Sequence, residues 1–288
     1  MSDHVFDNRP IGVFDSGIGG LTVLKEIWKK CPEESTIYFG DNARAPYGSK
    51  SHDTIVDYSL EIMRFLVRQN VKMVVIACNT ASAHAFSRVA AESPVPVIEV
   101  VTPGAYAATR ATRNGNIGII ATKATVNSDL YRDAVEDEAK KDIEAGINTD
   151  ALSHLHVAQA ACPLFVPLAE EGWWDTEVTR SVATSYLAPL QAAHVDTLIL
   201  GCTHYPLLVP VIQKVMGDEV TLINAGSSVA DKVLQGIQNG NMAADPNTEP
   251  QYRFFTSDDP MMFESVAEPF LGGGRPTGTI HATADSVL

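Results

Sequence analysis

The chain has 288 residues, 45% of them apolar and 19% charged, and a formal net charge of −14. That length buries a proper core without disulfides or metal, and that balance reads as globular rather than disordered. The acidic excess opposes phosphate backbones and anionic lipid, so neither nucleic acid nor membrane is expected as a partner.

The first ten residues, MSDHVFDNRP, are polar and hold no apolar core of the kind a secretory leader needs, so a cytoplasmic protein is expected. From there, short apolar runs alternate with longer amphipathic stretches, the rhythm of an α/β fold on parallel sheet. Strands are predicted at 11–14, 36–39, 73–77, 95–100, 117–121, 152–157, 197–200, 220–223 and 252–256. The run 73–77 is apolar at every position, so helices must cover both of its faces. After Ser51, a suitable helix N-cap, the residues Ile55, Tyr58, Ile62, Phe65 and Leu66 recur at helical spacing. The stretch 175–190 repeats the pattern with Val178, Val182, Tyr186 and Leu190, whereas the charge-rich 134–150 reads as solvated helix faces and loops. Nowhere does a run approach the ~18 apolar residues of a membrane span.

No Pro/Gly/Ser-rich linker divides the chain, but it carries an internal echo. Val74-Val75-Ile76-Ala77-Cys78-Asn79-Thr80 resembles Leu198-Ile199-Leu200-Gly201-Cys202-Thr203-His204. Each is an apolar strand ending in a small residue, then cysteine, then hydroxyl or amide groups. The repeat suggests two similar half-domains.

Ligands of open parallel sheets bind beyond the carboxyl ends of the strands. Four polar clusters fall there: Asp15-Ser16-Gly17, Asp41 with Pro46-Tyr47-Gly48, Cys78-Asn79-Thr80, and Cys202-Thr203-His204-Tyr205-Pro206. A free cysteine is ordinarily a small buried hydrophobe. Cys78 and Cys202, however, each precede a predicted helix, whose unpaired N–H groups favour an anion. A depressed thiol pKa is therefore expected; a fall from ~8.5 to ~7 needs roughly 2 kcal/mol. Cys31 and Cys162 lack such neighbours and are read as structural. His204 stands two residues from Cys202, where it can hydrogen-bond or charge-pair a thiolate. Glu170 and Glu171, before Gly172, read as a helix end.

Several alternatives drop out on spacing. Cys-x-His lacks two further ligands for a metal. After Gly17 and Gly19, a dinucleotide fingerprint needs glycine at 22, where Thr22 stands. Gly48-Ser49-Lys50-Ser51 lacks the upstream glycine of a phosphate loop, since position 43 is Ala43. No metal and no nucleotide cofactor is expected.

In this order, the segments Ile11-Gly-Val-Phe-Asp-Ser-Gly-Ile-Gly-Gly-Leu21, Asp41-Asn-Ala-Arg-Ala-Pro-Tyr-Gly48, Ala77-Cys-Asn-Thr-Ala-Ser82 and Leu200-Gly-Cys-Thr-His-Tyr-Pro-Leu-Leu208 resemble the glutamate racemases of the aspartate/glutamate racemase group. Asn42 and Gly104 stand where the family commonly has Thr and Ala. The resemblance implies two similar parallel-sheet α/β domains related by a pseudo-twofold axis, with the active site between them. They would comprise 1–101 plus 210–288, and 102–209. It implies a racemase that works without cofactor by two bases: Cys202 would deprotonate L-glutamate and Cys78 the D-isomer. Asp15 would assist Cys78, and His204 would assist Cys202, with Glu170 as a further acidic helper. Asp15, Ser16, Tyr47, Gly48, Asn79, Thr80, Thr203 and His204 would hold the substrate. D-Glutamate made this way would feed peptidoglycan synthesis, and the resemblance leaves a homodimer open.

Three rivals carry distinct expectations. A racemase for aspartate or another amino acid would share the cysteine pair. A cysteine hydrolase using Cys202 with His204, or Cys78 with Asp15, would need one cysteine only and a covalent intermediate. A two-lobed amino-acid-binding protein would bind without exchanging the α-proton.

Overall fold

The computed structural model describes residues 6–274 and 276–283. Strand β1 (Ile11–Asp15) leads into helix α1 (Leu21–Lys30). Strand β2 (Thr36–Gly40) leads through two 3-10 turns, Asn42–Arg44 and Tyr47–Ser49, into α2 (His52–Arg68). β3 (Met73–Ile76), α3 (Asn79–Glu92), β4 (Val97–Glu99) and α4 (Val101–Ala111) follow. β5 (Asn116–Ala121), α5 (Lys123–Asn127), α6 (Leu130–Glu144), α7 (Thr149–Leu152), β6 (His156–Ala161), α8 (Phe165–Glu170) and α9 (Glu177–Ala192) come next. The chain ends with β7 (Thr197–Gly201), α10 (Val209–Met216), β8 (Thr221–Asn224), α11 (Ala225–Asn239), β9 (Tyr252–Thr256), α12 (Pro260–Leu271) and β10 (Ile280–His281).

Two compact units result, Met1–Glu99 with Val229–Leu288, and Val100–Ser228. The first holds a six-stranded parallel sheet in the order β10-β9-β2-β1-β3-β4. Its register aligns Asp15 with Gly40 and Phe14 with Ile76, so the strand ends that carry Asp15, Asp41 and Cys78 fall on one edge. The second holds a four-stranded parallel sheet, β6-β5-β7-β8, with Ala121 aligned to Gly201. The chain is thus α/β with two parallel sheets, as the rhythm of apolar runs requires.

Burial follows from composition. β1, β2, β3 and β7 are buried at every residue. In β7, Leu198 and Leu200 pack with Leu187, Tyr205 and Ile212, while Ile199 points to the other face among Ala105, Tyr131 and Val135. This two-sided covering explains the continuous apolar run. In the first unit Phe65, from α2, sits between Phe39 and Phe255 at centroid distances of 5.0 and 5.1 Å. The Ser51 cap forms, its hydroxyl accepting from the Thr54 N–H.

Some expectations shift. The strand predicted at 152–157 is β6, displaced to His156–Ala161, and α7 occupies Thr149–Leu152. Its register is set by β5, and alanines at 158, 160 and 161 supply the small side chains that packing wants but strand propensity hides. β4 is only three residues long. β8 pairs with β7, so the second unit runs to Ser228 rather than to 209. β10 lies in a segment without a readable signal. Within 134–150, Asp142 is buried, not solvated: it accepts from Thr109 Oγ1 at 2.7 Å and pairs with Arg110 at 2.5 Å. Among the described residues, no helix is long and apolar enough to cross a membrane.

Candidate active site

β1 ends on Asp15, fully buried, whose Oδ2 accepts the Gly17 N–H at 3.0 Å. Two residues beyond β3, Cys78 caps the N-terminus of α3, its Sγ accepting from the Ala81 N–H at 3.4 Å. The thiol donates to Ser16 Oγ, also at 3.4 Å, which joins the first and third clusters. Asn79 and Thr80 form the buried first turn of α3.

The depressed pKa expected at Cys78 is overturned. Burial, and then the charge of Asp15, push the thiol up to about 12. The hydrogen bonds from Ser16 and the Ala81 N–H act the other way without prevailing. A helix N-terminus favours an anion by about 0.3–1 kcal/mol, and by up to about 2 kcal/mol in a partly buried site, less than desolvation removes at a fully buried thiol. Cys78 therefore rests as a thiol.

The second cluster is a network around Asp41, fully buried just past β2. Arg44 Nε donates to both its carboxylate oxygens, at 3.0 and 2.7 Å, and Ser257 Oγ donates to Oδ1 at 2.8 Å. The Tyr47 hydroxyl closes on Oδ2. Arg44 also reaches Glu61 at 2.5 Å and lies 4.0 Å from the Tyr58 ring centroid. Tyr47 is buried with its phenol committed to Asp41, and burial raises that phenol's pKa well above its usual value, followed by the effect of Asp41. Tyr47 is buried and Gly48 half-buried, while Ala45, Pro46 and Ser49 around them are exposed. Neither Ser257 nor the part Arg44 plays was singled out from sequence.

In the second unit, Cys202, Thr203 and His204 follow β7 directly and are all buried. Cys202 Sγ lies 3.9 Å from His204 Nδ1, and Thr203 Oγ1 lies 3.5 Å from the same nitrogen. His204 Nε2 meets Glu170 Oε1, at the end of α8, at 2.9 Å. Burial alone would lower the His204 pKa, but the hydrogen bonds to Cys202 and Glu170 outweigh it and bring it to about 10. Glu170 and Cys202 thus flank the buried His204 ring, one at each nitrogen. The two thiols differ: Cys78 has a carboxylate for a neighbour, and Cys202 an imidazole.

Cys31 and Cys162 are buried, their thiols pushed up mainly by burial to about 11 and about 12. Among the described residues, no three His, Cys, Asp or Glu side chains gather in a way that would hold a metal ion.

The profile of the Asp/Glu/hydantoin racemases matches residues 11–233 of the chain. The chain belongs to that family. Within it, the chain is similar to a glutamate racemase of Geobacter metallireducens, 46% identical over 92% of this chain and 93% of the relative. The solved glutamate racemase of Francisella tularensis, in complex with D-glutamate, matches at a TM-score of 0.86 and 36% identity, covering 98% of this chain and all of that one. The Escherichia coli glutamate racemase, in complex with L-glutamate and the activator UDP-MurNAc-ala, matches at 0.73 and 27%, covering 95% and 97%. The racemase fold and activity follow: the chain is a glutamate racemase by family, an isomerase of the pyridoxal-phosphate-independent kind.

Proposed function

We propose that this racemase interconverts L- and D-glutamate through Cys78 and Cys202, each serving one face of the α-carbon. In the L-to-D direction Cys202, as thiolate, takes the α-proton. The electron pair left on carbon delocalises into the α-carboxylate, and the Cys78 thiol delivers its own proton to the opposite face. The products are D-glutamate, a Cys202 thiol and a Cys78 thiolate; proton exchange with water, or turnover of a D-glutamate, restores the starting form. Inversion needs two groups, because a single base tends to return its proton to the face it came from.

The observation that carries this reading is the contrast between the thiols. A Cys78 thiol pushed up to about 12 suits an acid, and a Cys202 with the His204 ring 3.9 Å away suits the role of base. Backbone N–H groups and hydroxyls at the starts of helices are suited to a carboxylate, and Ser16, Asn79, Thr80, Thr203 and the Tyr47-Gly48 backbone are the groups proposed to hold the substrate. Preorganised donors around the carboxylate would stabilise the carbanion as it forms. The D-glutamate would supply peptidoglycan synthesis, and the relatives that bind D- and L-glutamate support that substrate over aspartate.

The test follows chirality and α-deuteration of each isomer in D2O for wild type, Cys78→Ser and Cys202→Ser. Racemisation by wild type and its loss in either variant, with one-sided exchange surviving, is the expected result. Full racemisation by either variant would remove the two-thiol mechanism. An inert wild type would send the substrate assignment back to aspartate.

A further inference from the structure

Tyr38 lies inside β2, outside every polar cluster, in a strand where phenylalanine would pack as well. Its ring is fully buried, 6.0 Å from that of Phe263. Its hydroxyl donates a 2.7 Å hydrogen bond to the carbonyl of Gly17. The turn it reaches, from Asp15 to Gly20, joins β1 to α1, and Gly20, the N-cap of α1, brings no side-chain oxygen to cap the helix. The phenol oxygen fills that place. A Cβ built on Gly20 would lie 2.8 Å from it, and the N–H groups of Gly20 and Leu21 face it. The same turn carries Asp15, which accepts the Gly17 N–H, and Ser16, which accepts from the Cys78 thiol.

We propose that Tyr38 is a positioning residue for Cys78, holding the Asp15-Ser16-Gly17 turn through the Gly17 carbonyl in the arrangement where Ser16 meets the thiol. This rests on the two-thiol reading above. Tyr38 touches neither the thiol nor the substrate in that scheme. Without its hydroxyl, the Gly17 carbonyl and the start of α1 lose a partner in a site where little water replaces it, and the turn relaxes to recover one. Displacement of a reacting group by about 1 Å is worth up to about 100-fold in rate. A single neutral hydrogen bond corresponds to about tenfold.

Turnover alone does not reveal which thiol is affected. L- and D-glutamate have equal free energies, so kcat/KM must fall equally in both directions in Tyr38→Phe. Single-thiol backgrounds separate the sides. In Cys202→Ser only Cys78 exchanges the α-proton, and it does so on D-glutamate; in Cys78→Ser only Cys202 does, on L-glutamate. Adding Tyr38→Phe is expected to slow D-glutamate exchange in D2O about tenfold in the first background. L-Glutamate exchange in the second should change by less than about twofold, a difference below ~0.5 kcal/mol. The second background also reports that the variant folds. Equal losses in both, the mark of a merely structural role, overturn the proposal, as does no loss in either. If Cys202→Ser without the Tyr38 change fails to exchange D-glutamate while wild type racemises, the two-thiol reading itself falls, and the proposal with it.

Discussion

Glu170 Oε1 lies 2.9 Å from Nε2 of His204, whose other ring nitrogen faces Cys202 Sγ at 3.9 Å. The imidazole thus spans two groups that are both better accommodated when it is charged. Burial opposes that charge, and the two contacts together override it. Glu170→Gln removes one of them while keeping a hydrogen-bonding side chain. The His204 pKa should fall yet stay above its unperturbed value, because Cys202 remains. Racemisation should drop about three- to tenfold, a modest loss because the Glu170 side chain is half exposed and solvent screens it. A pH titration of the ring by NMR, beside the rate, checks both. An unchanged ring titration would show that Glu170 does not set the His204 charge.

The same pair makes stability depend on pH. The His204 pKa rises from about 6.5 to about 10 on folding, so between those values the folded ring holds a proton the unfolded ring lacks, a net uptake as long as that proton is not the one the Cys202 thiol gives up. Its contribution to stability is complete below about pH 6.5 and is lost as pH rises through the folded value. The slope is about −1.4 kcal/mol per pH unit for one proton. Between about pH 6.5 and 8.5, below the range where the buried thiols begin to matter, His204→Gln should flatten the curve of unfolding free energy by up to that amount. Urea unfolding at several pH values measures it; parallel curves for the two proteins would show that folding takes up no extra proton here, the His204 proton being the one Cys202 releases.

Much of this site was legible before folding was considered, and the reasons differ by residue. Cys78 and Cys202 betray themselves because each ends an apolar strand, and strand ends of parallel sheets are where ligands bind. His204 follows from its spacing to Cys202. The state of the Cys78 thiol did not follow, because it depends on the approach of Asp15 from a neighbouring strand and on burial, neither of which is local in sequence. Ser257 was invisible for the same reason, since it meets Asp41 across more than two hundred residues of chain, whereas Arg44 stands only three residues from Asp41 and was legible as part of that segment but not as its ion-pair partner. In the fold, the strand β6 was displaced because its alanines carry weak strand signal, and β10 because two residues are too few for any period.

Asp41 anchors the loop of Tyr47 and Gly48 with an acceptor for every donor that reaches it. Asp41→Asn keeps the shape but turns one acceptor into a donor facing Arg44, Tyr47 or Ser257. Breaking a buried charged network in this way costs about 3 kcal/mol. Tyr47→Phe removes one donor and leaves the carboxylate with Arg44 and Ser257, for about 1–2 kcal/mol. In both, KM should rise more than kcat falls, since the loop offers backbone to the substrate in the proposed scheme. Denaturant unfolding together with steady-state kinetics would test the ranking; a Tyr47→Phe loss as large as that of Asp41→Asn would contradict it.

Two glycines of the first turn separate space from conformation. Gly20 has an ordinary right-handed helical backbone, φ −60° and ψ −13°, which alanine adopts freely. Yet a Cβ there would stand 2.5 Å from the Asp15 Cβ, 2.8 Å from the Tyr38 hydroxyl and 3.0 Å from the Ala77 Cβ. None of those atoms is the loose end of a flexible chain, so β1, β2 and the turn must shift. Gly20→Ala should cost about 1–3 kcal/mol by overpacking and move Asp15 away from Cys78. At Gly17 the nearest neighbours of an added Cβ are Asn42 Nδ2 at 3.7 Å and the Ala45 Cβ at 3.9 Å, ordinary contact distances. Its backbone is not among the left-handed positions. Gly17→Ala should therefore match or exceed wild type in stability, by up to about 1 kcal/mol through the reduced freedom of the unfolded chain. Thermal melts of the two single variants decide it. A Gly17→Ala protein destabilised as much as Gly20→Ala would mean that the turn is limited by its backbone rather than by the crowd around Gly20.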